Sequence, residues 1–358
     1  MSNFGRTSFL LGAGVLGVGW RSVALAAPMA MPLPGPDLKA DADMQRVLQN
    51  ILAGNAPPLP EVEPRIAREL PSFADALAAT LTQEGKPTVE TIGGLKHKVI
   101  DGPGGPLLLR MYFPTKMAAT LPVVVYFHGG GWVIASLDTY DASARSLANG
   151  SGAIVVSVAY RQAPEHPFPA AADDAFAAYK WVVANTASFG GDAKRIAIAG
   201  ESAGGNLAAV TTMQARDNGV QMPTHQLLVY PITNIAFDTA SYAENATAAP
   251  LGKPAMQWFA KYYLKSESDA TNPLVSVLRA KDFKKLSPAT IINAQIDPLR
   301  DDGELYAEKL QAAGVRVKRT LYRGVTHEFF GMGGAVAKAK LAMAEACEAL
   351  EASFGKAT

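Results

Sequence analysis

The chain has 358 residues, of which 49% are apolar, so it is long enough to bury one large core or two modest ones. Its 33 lysine and arginine residues balance 32 acidic residues, which argues against a nucleic-acid partner. The one cysteine, Cys347, excludes an intrachain disulfide and a metal cluster built from cysteines.

Residues 1–26 have the layout of a secretory signal peptide. Arg6 provides a basic start, residues 8–19 are apolar, and Ala24-Leu25-Ala26 offers a cleavage site of the A-x-A type. The apolar stretch is too short for a transmembrane helix, so we expect no stable membrane insertion. Cleavage would mean export to the periplasm or the medium. The alternative is a helix that lies on the folded domain of a cytoplasmic protein.

The next segment, residues 27–95, is predicted to contribute to a cap, and residues 37–95 within it are predicted to be helical. Apolar residues recur at helical spacing in residues 38–53 and 64–82, and proline-rich loops separate the helical stretches. No strand pattern appears before residue 96. This part of the chain is therefore expected to lie outside the central sheet.

From residue 96 onward, short apolar runs alternate with helical stretches. The predicted strands are 96–101, 107–113, 122–127, 153–160, 195–199, 226–230, 290–296 and 317–322. The predicted helices are 142–149, 170–185, 203–217, 302–313 and 335–352. This alternation indicates an α/β fold, in which helices cover both faces of a mostly parallel sheet.

One interval is too long for a simple crossover between two strands. Residues 232–288 separate the sixth and seventh predicted strands, and we interpret them as an insertion that contributes to the cap. The catalytic core then comprises residues 96–231 and 289–358.

Gly200-Glu201-Ser202-Ala203-Gly204 lies between a predicted strand and a predicted helix. That context is typical of a nucleophile elbow, in which a sharp turn lifts the serine hydroxyl above the sheet. The pentapeptide alone is only moderately specific, because small residues at the start of a helix produce the same pattern. Ser202 is the candidate nucleophile.

Three consecutive glycines follow the strand 122–127, in His128-Gly129-Gly130-Gly131-Trp132. Glycines lose much chain entropy on folding, so a run of them suggests close approach of the backbone to another group. We predict that N–H groups of this loop, together with that of Ala203, form an oxyanion hole. His128 is expected to shape the loop by hydrogen bonding.

The candidate base and acid follow the last two predicted strands. His327 lies after the last strand, and Asp297 ends the strand before it, which completes the order Ser…Asp…His. Asp301 and Asp302 begin the next helix, where acids favour the helix dipole, so we assign them a structural role.

Five motifs, in this order and spacing, resemble the bacterial hormone-sensitive-lipase family (family IV) of esterases over residues 40–352. The resemblance implies an α/β-hydrolase fold with a helical cap and a carboxylesterase that needs no cofactor. It also implies that Gly130 and Gly131 donate to the oxyanion. The motifs are His128-Gly129-Gly130-Gly131-Trp132, Tyr160 to Pro169, Gly200-Glu201-Ser202-Ala203-Gly204-Gly205, Asp297-Pro298-Leu299-Arg300-Asp301 and Thr326-His327-Glu328-Phe329-Phe330.

Two positions depart from the family pattern. The family usually has glycine where this chain has Glu328, and often has aspartate where this chain has Glu201. Both acids are expected to raise the pKa of His327. Glu328 does not complete a zinc motif, because H-E-x-x-H would need a histidine at Gly331, and we expect no metal.

The sequence therefore predicts a serine esterase that acts on small-molecule esters. We expect Gly129, Trp132 and Glu201 to contact the substrate, and Trp132 to narrow the acyl channel. Aromatic residues and lysines alternate in residues 253–265, as in an amphipathic helix with one face on the pocket, which favours short- to medium-chain esters.

Two alternatives remain open at this point. One is an amidase or lactonase that uses the same triad, and the other is a non-catalytic ligand-binding relative of the same fold. The oligomeric state is also open, and a homodimer is compatible with the sequence.

Overall fold

An eight-stranded sheet forms the centre of the protein in a computed structural model, which describes residues 40–355. Its strands are β1 (Gly94–Gly102), β2 (Gly105–Phe113), β3 (Leu121–Phe127), β4 (Ile154–Val158), β5 (Gly191–Glu201), β6 (Gln226–Val229), β7 (Ala289–Ile296) and β8 (Val317–Thr326). Each of the eight predicted strands corresponds to one of these. The predicted signal peptide, residues 1–26, lies outside the described residues and stays a prediction.

The order of the strands in the sheet is β1-β2-β4-β3-β5-β6-β7-β8. The pairs β1–β2 and β2–β4 are antiparallel, and all other neighbouring strands are parallel. The prediction of a mostly parallel sheet is confirmed. Because parallel strands share one direction, the carboxyl ends of β3, β5, β7 and β8 meet at one edge, where the motifs of the candidate site follow.

The helices of the described chain cover both faces of this sheet. They are α1 (Ala42–Ala53), α2 (Pro64–Ala67), α3 (Phe73–Gln83), α4 (Asp141–Ser151), α5 (Ala170–Asn185), α6 (Ala203–Asp217), α7 (Ala240–Glu244), α8 (Lys253–Tyr263), α9 (Arg300–Ala312) and α10 (Ala337–Phe354). Short 3₁₀ helices span Leu59–Glu61, Thr186–Phe189, Glu267–Thr271 and Val277–Arg279. Within residues 40–355, none of the helices combines the length and the apolar character needed to cross a membrane.

Side chains of the central strands alternate between two apolar clusters. In β3, Val123 and Val125 belong to the cluster that contains residues of α5, α6 and α9, whereas Val124 and Tyr126 belong to the cluster that contains residues of α1, α4 and α10. Every residue of β3 and β4 is buried, as expected for strands that are covered on both faces. These strands form a rigid base for the loops at their carboxyl ends.

The predicted helix 64–82 is in fact two helices, so this prediction was wrong in its extent. α2 ends at Ala67, and α3 begins after Ser72. The Ser72 hydroxyl accepts a hydrogen bond from the Asp75 N–H, and the Asp75 carboxylate accepts one from the Ser72 N–H. This capping box starts a new helix, and its S-x-x-D pattern is visible in the sequence.

Candidate active site

Ser202 lies at the turn between β5 and α6, in a strained backbone conformation with φ 56° and ψ −117°. The glycines two residues to either side are required by close packing. A Cβ atom on Gly200 would lie 2.1 Å from the carbonyl oxygen of Gly204, and one on Gly204 would lie 2.0 Å from that of Phe127. A non-glycine residue at positive φ is unfavourable and persists where the surrounding structure holds it. The turn is therefore tightly held by its neighbours.

The structure brings the three predicted triad residues together. The Ser202 hydroxyl oxygen lies 3.0 Å from Nε2 of His327, and Nδ1 of His327 lies 2.7 Å from a carboxylate oxygen of Asp297. All three side chains are buried. Because a carboxylate only accepts hydrogen bonds, Nδ1 carries the proton and Nε2 is free to accept one from the serine. This is the geometry of a serine nucleophile with an oriented base.

Three carboxylates act on the imidazole of His327. Burial lowers the pKa of His327 and is the largest single cause, but the charge and hydrogen bond of Asp297, with smaller contributions from Glu328 and Glu201, together outweigh it. The net effect is a pKa above the ordinary value of a histidine. The prediction that Glu201 and Glu328 act in this direction agrees with the structure, although Asp297 has the larger effect.

Two of the predicted oxyanion donors, Gly130 and Gly131, line the same cavity as Ser202, and the third, Ala203, follows Ser202 in the chain. Gly130 and Gly131 follow β3 at φ 95° and 58°, and Ala203 is the first residue of α6. Their N–H groups donate to no acceptor among residues 40–355. Free N–H groups at a helix start and in a glycine loop stabilise developing negative charge.

His128 shapes this loop and does not act as a base. Its ring stacks on Tyr160 with centroids 4.4 Å apart, and its Nδ1 lies 2.8 Å from the carbonyl oxygen of Gly129. Burial lowers the pKa of His128 to about 4, so the ring is neutral at neutral pH. The role expected from the sequence therefore fits this geometry.

Comparisons with known proteins agree with this geometry. A family model described as alpha/beta hydrolase fold matches residues 124–331. The chain belongs to this family. The resemblance seen in the sequence motifs is confirmed.

Two relatives and one solved structure illustrate the similarity of this α/β-hydrolase to esterases. The chain is 47% identical over 241 residues to esterase LipI of Mycobacterium tuberculosis, which covers 66% of this chain and 75% of that protein. It is 33% identical over 319 residues to ethyl acetate hydrolase of Pseudomonas putida, which covers 88% of this chain and 98% of that protein. The solved structure of a hyperthermophilic esterase from Pyrobaculum calidifontis is 39% identical, with a TM-score of 0.81 over 88% of this chain and 99% of that one.

A cavity of about 210 Å³ opens onto Ser202 in this α/β-hydrolase. Three parts of the chain line it, and most of the lining is apolar. The core contributes Gly130, Gly131, Ile134, Ala135, Thr139, Tyr140, Ser202, His327 and Glu328; the N-terminal segment contributes Leu59, Ala67, Arg68, Leu70, Pro71, Ser72 and Phe73; the insertion contributes Pro250, Leu251, Ala255 and Phe259.

Three residues expected to contact the substrate do not line this cavity, so these expectations need correction. The Trp132 ring is fully buried and stacks on Tyr263 with centroids 4.2 Å apart, so it cannot narrow the acyl channel. A Cβ atom on Gly129 would lie 2.2 Å from the Tyr140 hydroxyl, so this glycine serves close packing. Glu201 is buried beside the cavity and does not face it.

The Glu201 carboxylate is held by two tyrosines. Tyr126 and Tyr230 donate their hydroxyls to its two oxygens, and the Tyr230 ring packs on His327 with centroids 4.4 Å apart. Burial raises the pKa of Glu201 to about 7 despite these hydrogen bonds. Glu201, the acid next to the nucleophile, therefore holds the Tyr230 ring that packs against the imidazole of His327.

Cavity residues that the sequence did not indicate come from distant parts of the chain. Tyr140 precedes α4 and donates its hydroxyl to Glu328 over 2.6 Å, and Phe259 of α8 packs over Gly131. No local motif marks Tyr140, since its role depends on a partner 188 residues away. The amphipathic pattern of residues 253–265 does correspond to α8, but of its aromatic residues only Phe259 lines the cavity.

Proposed function

We propose that this protein is a serine carboxylesterase that hydrolyses short- to medium-chain esters through an acyl-enzyme on Ser202. The observation that carries this proposal is the hydrogen-bonded relay from Ser202 through His327 to Asp297, which opens onto an apolar cavity. Esterases among its relatives support the same reaction.

The geometry supports a two-step reaction. His327 accepts the Ser202 proton at Nε2 as the hydroxyl oxygen attacks the acyl carbon, and then gives that proton to the leaving alcohol. Asp297 holds the ring with Nδ1 protonated. N–H groups of Gly130, Gly131 and Ala203 stabilise the oxyanion. Water then releases the acid by the same route.

The cavity volume supports a preference for short acyl chains. A cavity of about 150 Å³ holds a benzene molecule, so by the same measure about 210 Å³ accommodates about eight carbon-sized groups. A chain of about two to eight carbons fits this space, whereas a sixteen-carbon chain exceeds it.

Two segments outside the sheet supply most of the apolar cavity wall, and we propose that they act together as the cap. Arg68 of the N-terminal segment donates to the carbonyl oxygens of Val133 and Ala163 and pairs with Glu165. In addition, the Trp258 indole of the insertion donates to the carbonyl oxygen of Val62. The described part of the N-terminal segment, residues 40–95, and the insertion 232–288 are therefore linked to each other and to the loops of the core.

A covalent ester analogue tests the assignment of the nucleophile. Diethyl p-nitrophenyl phosphate should label Ser202, as read by mass spectrometry of the digested protein. Ser202→Ala should lose at least about a thousandfold in kcat on p-nitrophenyl butyrate. Ser188→Ala, at an exposed serine, is the matched control and should retain full activity. More than about a tenth of wild-type activity in Ser202→Ala would refute the proposal.

Parallel assays separate the ester reaction from its relatives. Butyramide derivatives and γ-lactones offered at the same concentrations should turn over at least about a hundredfold more slowly than p-nitrophenyl butyrate. A higher kcat/KM on either class would make the protein an amidase or a lactonase.

We further propose that residues 1–26 are removed during export. The basic start, the apolar stretch and the A-x-A site support this proposal. N-terminal sequencing of the protein from its native host should find a start near Ala27, and an intact start at Met1 or Ser2 in the soluble fraction would contradict it.

A further inference from the structure

Glu328 lies where the attacking water must arrive in the second half of the reaction. One of its carboxylate oxygens is 3.8 Å from Nε2 of His327, the atom that also lies 3.0 Å from the Ser202 hydroxyl. Its side chain lines the substrate cavity. A group in this place can contact any nucleophile that uses Nε2 as its base.

The backbone of Glu328 is held in an unfavourable conformation. Its φ is 70°, in the left-handed region that glycine adopts more readily. The Tyr140 hydroxyl donates to the same carboxylate oxygen that faces Nε2, over 2.6 Å, and fixes its position. Strain of this kind at a catalytic site points to a functional reason for the side chain.

The donor and acceptor chemistry of the site favours water as the bound molecule. When Nδ1 of His327 is protonated, Nε2 is an acceptor, and the Glu328 carboxylate is an acceptor as well. A water molecule has two O–H donors and can bridge two acceptors that lie 3.8 Å apart. It then keeps its lone pairs free to attack the acyl carbon.

A small chamber beside the cavity extends this polar environment. It measures about 30 Å³, which is enough for one water molecule, and it shares Tyr140 and Glu328 with the main cavity. Ser143, Thr139 and Glu201 complete its polar lining. Apolar side chains make up the rest of its lining, so the chamber can hold one water molecule in contact with Glu328.

We propose that Glu328 is a positioning residue that holds the deacylating water against Nε2 of His327. The proposal rests on the acyl-enzyme mechanism proposed above. In this step the water oxygen forms a bond to the acyl carbon and the bond from that carbon to the Ser202 oxygen breaks. One water proton passes through Nε2 to the serine oxygen, and the other leaves with the carboxylic acid. Glu328 orients the water and takes no proton.

Competition between water and methanol for the acyl-enzyme tests this role. Methanol has a single O–H donor, which Nε2 uses, so it gains nothing from a second acceptor. The enzyme acts on p-nitrophenyl butyrate in a fixed concentration of methanol, and gas chromatography measures the ratio of butyric acid to methyl butyrate. This ratio reports on deacylation alone, because both products come from one acyl-enzyme.

Two variants of matched size separate hydrogen bonding from space. Glu328→Met retains the volume but lacks a strong acceptor, and the acid-to-ester ratio should fall about 5- to 20-fold. Glu328→Gln keeps a carbonyl acceptor and should stay within about threefold of the wild-type ratio. Glu348→Gln removes an exposed acid of α10 that lines neither the cavity nor the chamber, and it should leave the ratio unchanged.

The outcomes are distinct. A ratio in Glu328→Met within twofold of wild type would overturn the proposal, even if kcat falls, because both nucleophiles would then be affected equally. Equal falls in the Met and Gln variants would also overturn it. If the wild-type protein releases neither butyric acid nor methyl butyrate, the esterase proposal itself fails.

Discussion

At the scale of single residues, the chemistry depends on one imidazole among several buried carboxyl groups. Asp297 contacts Nδ1 of His327 directly, while Glu328 and Glu201 act on it from beside the cavity and from within the core. Burial also raises the pKa of the Glu328 carboxyl. The pKa of His327 therefore depends on the charges of these neighbours, and substituting one acid at a time should change it.

Removing the charge of Glu328 should move the acid limb of the pH–rate profile. His327 must be neutral to accept the serine proton, so kcat/KM falls as the pH drops below its pKa. Since Glu328 raises that pKa, the acid limb of Glu328→Gln should lie at a lower pH than that of the wild type. Profiles with p-nitrophenyl butyrate between pH 4.5 and about 8 would measure the shift.

A surface glutamate provides the control for this experiment. Glu348 of α10 is exposed, and Glu348→Gln should leave the acid limb in place. Coincident acid limbs in the wild type and Glu328→Gln would show that Glu328 does not influence the base.

At the scale of elements, the start of α9 holds the insertion against the core. Asp302 is buried and accepts the N–H groups of Thr233 and Asn234, and Asp301 accepts the N–H of Ser241. The structural role predicted for these acids holds, but their partners are in the insertion and not only at the start of their own helix. Asp297 lies between β7 and α9, a few residues before Asp301 and Asp302, so residues 297–302 link the triad to the insertion.

Loss of Asp302 should destabilise the fold in a pH-dependent way. Burial raises the pKa of Asp302 to about 7 in the folded state, above the ordinary value of 3.8. Its contribution is therefore complete below about pH 4 and is lost as the pH rises through about 7. Asp302→Ala should lower the free energy of unfolding by about 2–4 kcal/mol at pH 5 and by less at pH 8. Urea denaturation at both pH values would measure this.

Glu304 on the same helix provides a matched comparison. It is exposed and pairs with the partly buried Arg319, and ion pairs with one exposed partner at the surface contribute little, so Glu304→Ala should change the free energy of unfolding by less than about 1 kcal/mol. An Asp302→Ala variant that behaves like Glu304→Ala, or that loses more stability at pH 8 than at pH 5, would contradict this account.

At the scale of the whole molecule, the active site combines parts that are far apart in the chain. The catalytic groups lie at the carboxyl edge of the sheet, and most of the apolar cavity wall comes from the N-terminal segment and the insertion. Phe259 closes the cavity directly over the oxyanion loop, since a Cβ atom on Gly131 would lie 2.1 Å from its ring. Under the cap proposal, these two segments set the size of the substrate and the core sets the chemistry.

The acyl-chain preference should follow from this division. The value of kcat/KM should be at least about a hundredfold higher for p-nitrophenyl butyrate than for the palmitate ester, because the cavity of about 210 Å³ cannot enclose a sixteen-carbon chain. Phe259→Ala should enlarge the cavity and raise the octanoate-to-butyrate ratio of kcat/KM about fivefold.

Phe176→Ala serves as the comparison for that variant. Phe176 is a partly buried aromatic residue of α5 that does not line the cavity, so the octanoate-to-butyrate ratio should stay near the wild-type value. Better turnover of palmitate than of butyrate by the wild type would show that the cavity in solution is larger than the cavity of about 210 Å³ in this structure.

The sequence by itself determined the sheet, most of the helices that flank it and the candidates for the triad. Strands such as β3 and β4 are continuous apolar runs, and burial on both faces produces that pattern directly. Ser202, Asp297 and His327 each follow a strand, so chain order and strand position were enough to predict that they meet. The strained turn at Ser202 was also visible in the sequence. Close packing at this turn admits only glycine at positions 200 and 204, and these two glycines form the motif.

Only the tertiary structure decided which side chains face the substrate. Trp132 belongs to the glycine motif, yet its ring stacks on Tyr263 in the core, and Phe259 from the insertion occupies the cavity wall instead. The carboxylate of Glu328 is fixed by Tyr140, 188 residues earlier in the chain. The orientation of a side chain depends on packing between distant segments of the chain. A strand or a turn depends mainly on neighbouring residues, so the sequence predicts strands and turns better than it predicts which side chains face the substrate.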